Sequence, residues 1–245
     1  LAARDNRTAV EWLTHAVAGL DREVRFALRR GAAEFLALRG ERIGHGVGTA
    51  LAERDAEITT IAAHGGEPIP ETPDGYDGLI MLGGAQSALD DDDSPFLPAL
   101  ARLSRAFGDS GRTVLGICLG SQILARAYGG GNVLNRPVEF GYLPVTPLPE
   151  AADDPMLSGL TKPTRIFHFH KDTVRLPEGA VRLAESEMTP NQAWRMGDNV
   201  YAVQFHFEAS REVVADWSRD GAEHILPHAP DWPTRLPPEL ALIHL

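Results

Sequence analysis

The sequence contains a single cysteine, Cys118, among its 245 residues, so no internal disulfide can form. One free thiol is typical of a protein in a reducing compartment, and it leaves a reactive cysteine available for chemistry. No stretch approaches the roughly 18 consecutive apolar residues of a membrane span, and the N-terminus lacks the apolar core of a signal peptide. We therefore expect a cytoplasmic protein that does not use a membrane.

Positive charge is also scarce, because 23 Lys and Arg residues stand against 34 Asp and Glu residues and leave a net charge of −11. That balance argues against a nucleic acid or an anionic membrane as the main partner. The hydrophobic fraction of 43% and the charged fraction of 23% are ordinary for a globular protein. A chain of this size can bury a sizeable core, and we expect neither a metal nor a cofactor.

Apolar runs alternate with helix-length segments from Glu34 onward. This alternation predicts right-handed βαβ units, and hence an α/β fold with a mostly parallel sheet. Strands are predicted at 35–38, 57–63, 76–82 and 113–117, and helices at 95–107 and 121–128. Shorter strands at 138–145, 165–168 and 180–185 indicate a small antiparallel extension, and a last strand at 200–207 precedes a helix at 210–220.

The two ends of the chain differ from this pattern. Residues 8–30 are predicted to form an extra amphipathic helix, with Thr8 and Glu11 spaced as a capping box. Packing on the main domain is favoured for this helix, and docking to a partner is the alternative. The tail from about residue 226 is rich in proline and is predicted to lack regular structure. We therefore divide the chain into a helical extension, 1–33, and one α/β domain, 34–245.

Residues 116–122, GICLGSQ, have the pattern of a nucleophile elbow. Cys118 directly follows the apolar strand 113–117 and precedes helix-compatible residues, with glycines two positions before it and two positions after it. The turn in such an elbow is so tight that side chains at the flanking positions would clash. The alternative interpretation is that Cys118 is a small apolar residue in a core strand.

Two other predicted strand ends carry groups that suit a reactive thiol. His206 and Glu208 are two residues apart on the predicted last strand and would share one face. A thiol needs a neighbouring imidazole to become a thiolate at neutral pH, and the imidazole needs a carboxylate to fix its tautomer. Gly83 and Gly84 end another strand, where small residues let a ligand approach the backbone N–H groups. Ligand sites of open α/β sheets lie at such strand ends.

Five stretches give the chain a resemblance to the class I (triad-type) glutamine amidotransferases in their stand-alone form. They are DGLIMLGG at 77–84, GICLGSQ at 116–122, EFGY at 139–142, HKD at 170–172 and QFHFE at 204–208. The resemblance extends from about Glu34 to Asp220. It implies a flavodoxin-like arrangement, in which an open, mostly parallel sheet is flanked by helices.

The resemblance also implies roles for individual residues. Cys118 would attack the side-chain amide of glutamine, His206 would carry the proton to the leaving ammonia, and Glu208 would hold His206. The backbone N–H groups of Gly84 and Leu119 would form the oxyanion hole. Residues that would contact the amino-acid end of the substrate are Gly83, Gln122, His170, Lys171 and Asp172.

Reaction through a glutamyl thioester would release glutamate and ammonia, and the ammonia would pass to a separate acceptor or synthetase subunit. A stand-alone γ-glutamyl hydrolase or peptidase is the alternative, because the same chemistry would cleave a γ-glutamyl amide with a larger leaving group. The chain departs from the family at Phe207, where a proline is usual between the catalytic histidine and glutamate.

Two further hypotheses remain open. His168, His170 and His206 could bind zinc, because imidazoles two residues apart on a strand can share one metal. Against this, no acidic ligand motif accompanies the pair in the sequence, and the resemblance already accounts for His170 and His206. A catalytically inactive scaffold is the other hypothesis, and the presence of Cys118 and Glu208 together with His206 argues against it.

Overall fold

The computed structural model describes residues 34–38, 57–136 and 138–240. The strands in this part of the chain are β1 Glu34–Leu38, β2 Glu57–Ile61, β3 Gly78–Met81, β4 Thr113–Ile117, β5 Gly131–Val133, β6 Glu139–Pro147, β7 Thr164–His170, β8 Thr173–Arg175, β9 Val181–Glu185, β10 Ala193–Met196 and β11 Val200–Val203. The α-helices are α1 Leu97–Asp109, α2 Leu119–Ala127, α3 Arg211–Asp220, α4 Ala222–Ile225 and α5 Trp232–Leu240. The predicted helix at 8–30 lies outside the described residues.

Nine of these strands form one sheet in the order β2-β1-β3-β4-β11-β10-β9-β6-β7. The neighbours from β2 to β11 run parallel, and those from β11 to β7 run antiparallel. Strands β5 and β8 pair separately. The predicted α/β class, with a parallel sheet and an antiparallel extension, is therefore confirmed.

Strands β3, β4 and β11 are almost wholly buried because both faces of the sheet are covered there. On β3, Leu79 and Met81 pack into the cluster that includes α1 and α2, whereas Ile80 packs into the cluster on the opposite face. Helix α1 contributes residues three and four positions apart to the first cluster, so its apolar stripe lies on the sheet. Because β3, β4 and β11 are parallel neighbours, their carboxyl ends lie next to one another at one edge of the sheet. No helix of the described residues is long and apolar enough to cross a membrane.

The prediction of an irregular tail is wrong, because α5 is a helix. Trp232 at its start is 1% exposed, its ring centroid lies 4.6 Å from that of Phe140, and its Nε1–H donates to Ser218 Oγ at 2.9 Å. Pro233 lies in the first turn, where a helix needs no intrahelical N–H donor. Burial of one tryptophan against β6 and α3 thus stabilises a helix in a stretch whose proline content suggests none.

Candidate active site

Cys118 lies in the turn between β4 and α2 with φ 53° and ψ −106°. Such a positive φ strains the backbone of a non-glycine residue, and it persists only where the surroundings hold it. Here the Cys118 N–H donates to the carbonyl of Val203 at the end of β11, at 2.8 Å. The thiol therefore projects from the sheet edge at the start of a helix, as the elbow pattern predicts.

Close backbone contacts explain why the elbow has glycine at positions 116 and 120. A Cβ on Gly116 would lie 2.6 Å from the backbone carbonyl carbon and oxygen of Gly120. A Cβ on Gly120 would overlap the carbonyl oxygen of Met81 on β3. Both contacts are with backbone, which cannot move aside without disturbing the sheet or the helix, so each position accepts only glycine.

Gly120→Ala is expected to reduce the free energy of unfolding by about 1–3 kcal/mol, the usual cost of overpacking. Urea unfolding would measure the loss. Gly65→Ala is the matched control, because its Cβ would find only Ala62 Cβ at 3.8 Å and should leave stability nearly unchanged. An equal, small effect of both substitutions would contradict the steric account of the elbow.

His206 and Glu208 are paired, although not in the way that the sequence suggests. Strand β11 ends at Val203, so the predicted strand 200–207 is too long. The His206 N–H instead donates to the carbonyl of Phe167 on β7 at 2.7 Å, in an isolated antiparallel bridge. His206 Nδ1 lies 2.7 Å from Glu208 Oε1, and both side chains are buried. The Nδ1–H donates to the carboxylate, which leaves Nε2 for the thiol side.

Gly83 borders the thiol and the imidazole. An atom at its missing Cβ position would lie 3.0 Å from His206 Cε1, 3.8 Å from His206 Nε2 and 3.5 Å from Cys118 Cβ. A side chain at this position would therefore crowd the imidazole and the thiol, and glycine avoids that contact. Gly84 lies close to Leu119, since a Cβ on Gly84 would be 2.9 Å from Leu119 Cδ2. Leu119 begins α2, and the first N–H groups of a helix have no intrahelical acceptor and favour negative charge.

The charges at the site favour an ion pair. Burial lowers the pKa of His206, but the negative charges of Glu208 and Cys118, and hydrogen bonds with both, raise it to about 10. The His206 ring also meets the indole of Trp217 nearly edge to face, with centroids 4.8 Å apart. His206 is thus an imidazolium at neutral pH, next to Cys118. The pKa of His206 in the folded protein exceeds the value of about 6.5 in an unfolded chain. Protonation of His206 therefore stabilises the fold fully below about pH 6.5, and this stabilisation is lost as the pH rises through about 10.

The predicted substrate residues come together behind the elbow. Gln122 Nε2 donates to the Asp172 carbonyl at 3.2 Å and to Gln204 Oε1 at 3.4 Å. The same carbonyl lies 3.2 Å from His170 Nδ1, and Asp172 Oδ1 accepts the Asn135 N–H at 2.8 Å. The side chains of Gln122 and His170 therefore point into the protein, while the Lys171 side chain is exposed.

Sequence reasoning missed the role of Glu139, which belongs to the EFGY stretch but received no function there. Strands β6 and β7 place Glu139 opposite His170, and the carboxylate Oε2 lies 3.2 Å from His170 Nε2. The zinc set of three histidines is not what the structure assembles. His206 is paired with Glu208, and the ligand atoms that lie within 4.8 Å of one another belong to His168, His170 and Glu139.

Comparisons with known proteins agree with this geometry. The sequence profile of the family "Glutamine amidotransferase class-I" matches residues 40–215. The chain is 32% identical over 165 residues to the putative glutamine amidotransferase-like protein YfeJ of Salmonella typhimurium, covering 66% of this chain and 69% of that protein. It is 35% identical over 167 residues to a subunit of the glutamine-hydrolyzing GMP synthase of Natronomonas pharaonis, covering 66% of this chain and 82% of that protein.

Two other matches broaden the picture. Gamma-glutamyl peptidase 5 of Arabidopsis thaliana is 32% identical over 145 residues, or 58% of this chain and 57% of that protein. The crystal structure of a glutamine amidotransferase from Methylobacillus flagellatus superposes with a TM-score of 0.71 and 30% identity, covering 78% of this chain and 76% of that one. By profile, relatives and fold, the chain belongs to the class I glutamine amidotransferases.

Proposed function

We propose that the protein hydrolyses the side-chain amide of glutamine through a thioester on Cys118 and releases glutamate and ammonia. The observation that carries this proposal is the buried chain of Cys118, His206 and Glu208, which Gly83 borders. A thiolate at a helix start, an imidazolium and an orienting carboxylate are what acyl transfer from an amide requires.

The groups divide the reaction between them. The Cys118 thiolate attacks the amide carbon, and the N–H groups of Gly84 and Leu119 receive the resulting oxyanion. His206 gives its Nε2 proton to the leaving nitrogen, the C–N bond breaks and ammonia departs, which leaves a glutamyl thioester. Water then attacks the thioester as His206 takes one of its protons. Glutamate leaves, the thiolate is restored, and Glu208 holds the imidazole throughout.

The amino-acid end of the substrate would bind where α2 meets the segment after β7. Gln122 and the backbone of Lys171 and Asp172 supply polar groups there, and Gly83 leaves the backbone accessible. The ammonia would pass to a separate synthetase subunit or acceptor, as the name of the Natronomonas GMP synthase subunit suggests for that relative. We place the reaction in the cytoplasm, where a lone catalytic thiol stays reduced.

A γ-glutamyl peptidase is the second candidate, supported by the Arabidopsis relatives of that name. Both reactions use the same attack on a γ-glutamyl carbonyl and differ in the leaving group. We expect higher kcat/KM for glutamine than for γ-glutamyl dipeptides when released glutamate is measured for each. Cleavage of the dipeptides without cleavage of glutamine, in the presence or absence of a synthetase, would favour the peptidase.

Covalent labelling separates both enzymes from an inactive scaffold. A glutamine-like electrophile should modify Cys118 stoichiometrically, as mass spectrometry of the digested protein would show. Excess glutamine should slow the labelling because both occupy one site. Failure of Cys118 to react, under conditions where an active class I amidotransferase reacts, would support the scaffold.

A further inference from the structure

A second buried polar chain lies behind the candidate active site, on β6 and β7. Glu139 is 1% exposed and sits opposite His170 in the antiparallel register. Its Oε1 accepts the Ser186 hydroxyl at 2.5 Å, and its Oε2 accepts the Gln192 amide at 2.9 Å. The carboxylate is thus held from several sides, and a buried carboxylate with such partners remains charged.

Both ring nitrogens of His170 face acceptors. Nε2 lies 3.2 Å from Glu139 Oε2, and Nδ1 lies 3.2 Å from the Asp172 carbonyl oxygen. A carbonyl oxygen can only accept, so the hydrogen bond to Asp172 requires a proton on His170 Nδ1. Burial raises the pKa of Glu139, but the hydrogen bond and the charge of His170 lower it to about 2. The contacts therefore join the Glu139 carboxylate, the His170 ring and the Asp172 carbonyl in one buried polar chain.

The Asp172 carbonyl is where this pair meets the proposed substrate site. It accepts one hydrogen bond from His170 Nδ1 and another from Gln122 Nε2 on α2. Two donors on one carbonyl fix the plane of the following peptide group and tie the end of β7 to the elbow helix. The backbone of Lys171, whose carbonyl accepts the Arg136 N–H at 2.9 Å, continues directly from this anchored point.

We propose that Glu139 and His170 are positioning residues, whose contact with each other and with the Asp172 carbonyl holds the Lys171–Asp172 backbone in place to bind the amino-acid end of the substrate. This proposal rests on the proposed function, because it concerns the same site, but it holds equally for glutamine and for a γ-glutamyl peptide. Neither residue touches the reacting bond. Their loss should weaken substrate binding and leave the triad able to react.

His168 is the third side chain of this buried cluster. It is 0% exposed, and its Nδ1 lies 3.4 Å from His170 Nε2. Burial, then the charge of His170, lowers its pKa to about 3, and the charge of His206 acts in the same direction. His168 therefore remains neutral beside His170, whose other facing groups are Glu139 and Asp172.

A bound metal is the competing explanation for this cluster, since its ligand atoms lie within 4.8 Å of one another. Zinc on His170 Nε2 would take the place of the proton that the nitrogen shares with Glu139. The two explanations therefore differ in a measurable way. The hydrogen-bonded contacts need no metal, whereas a metal site requires a stoichiometric ion.

The first experiment compares the unmodified protein, Glu139→Gln and the control Glu178→Gln, whose glutamate lies at the surface. For Glu139→Gln we expect KM to rise at least about tenfold while kcat falls by less than about threefold, the signature of lost binding shared by ground and transition states. The substrate is whichever γ-glutamyl compound the unmodified protein cleaves. The control should match the unmodified protein.

Two labelling rates test the variant without turnover. Iodoacetamide lacks an amino-acid end, so its rate with Cys118 should be unchanged in Glu139→Gln, whereas labelling by a glutamine-like electrophile should slow at least about tenfold. Equal slowing of both rates, or a loss in kcat with KM unchanged, would overturn the positioning role. Absence of turnover with normal iodoacetamide labelling in every protein would instead count against the proposed function.

A measurement on the unmodified protein covers the case in which Glu139→Gln does not fold. Nitrogen-15 NMR should show a proton on His170 Nδ1, as its hydrogen bond to the Asp172 carbonyl requires, and elemental analysis should find no stoichiometric metal. A His170 ring without a proton on Nδ1, or one equivalent of zinc that survives in Cys118→Ser, would overturn the proposal. The serine background removes the other thiolate and imidazole site at which zinc can bind.

Discussion

Cys118→Ser is expected to lower kcat for glutamine by about 10⁴- to 10⁶-fold, the range seen when a covalent nucleophile is removed. A serine hydroxyl stays protonated beside His206, so the preformed anion that attacks the amide is lost. The substitution is nearly isosteric, and Cys118 packs with the apolar cluster around Ile117 and Phe205. We therefore expect the melting temperature to change little. Steady-state release of glutamate and ammonia would measure the effect on turnover.

Binding provides the control for this prediction. Cys118→Ser should bind glutamine with nearly unchanged affinity in calorimetry, because the predicted contacts to the amino-acid end come from Gln122 and residues 171–172. Turnover within a few-fold of the unmodified protein would show that Cys118 is not the nucleophile. If Cys118→Ser unfolds and therefore no longer binds glutamine, the cysteine is a core residue instead.

His206→Asn should reduce kcat on the order of 10⁴-fold, because one side chain supplies both the thiolate's counter-charge and the proton for the leaving nitrogen. Asparagine can still donate a hydrogen bond to Glu208, so the buried carboxylate is not left without a partner. The exposed histidine His228 offers a matched control. His228→Asn should leave kcat and KM unchanged.

The two active-site substitutions should not be additive. Once Cys118 is serine, removing His206 as well should cost little more, because residues that act as one unit fail together. The pH dependence of Cys118 alkylation gives a second readout. In His206→Asn the reactive form should appear only near the ordinary thiol pKa of about 8.5. A double variant whose loss equals the product of the single losses would contradict a shared mechanism.

The contact between His206 and Glu208 shows how a correct prediction can have an incomplete reason. Their spacing predicts a shared face on a continuous strand, but β11 ends at Val203. The contact exists because His206 bridges to Phe167 on β7, a strand much earlier in the chain. A two-residue period predicts which side chains can meet, but a distant strand determines where they lie.

The elbow could be predicted from sequence because its causes are local. An apolar run predicts the buried strand 113–117, and the structure places β4 at those residues. Glycines at 116 and 120 indicate the tight turn, even though the backbone atoms that exclude a side chain at Gly120 belong to β3. By contrast, helix α5 in the proline-rich tail depends on the burial of Trp232 against Phe140, which no local pattern reports.

The sequence by itself determined the α/β class, the nucleophile candidate and its two partners. Strand periodicity and glycine spacing depend on residues that are close in the chain, and the chemistry of a thiol depends on the residue type alone. Only the tertiary structure decided which side chains lie behind residues 171–172, where we propose that the substrate binds. Glu139 and His170 are 31 positions apart in the chain and meet only through the register of β6 and β7. This contact depends on which strands are neighbours in the sheet, and the order of distant strands is set by packing rather than by local sequence.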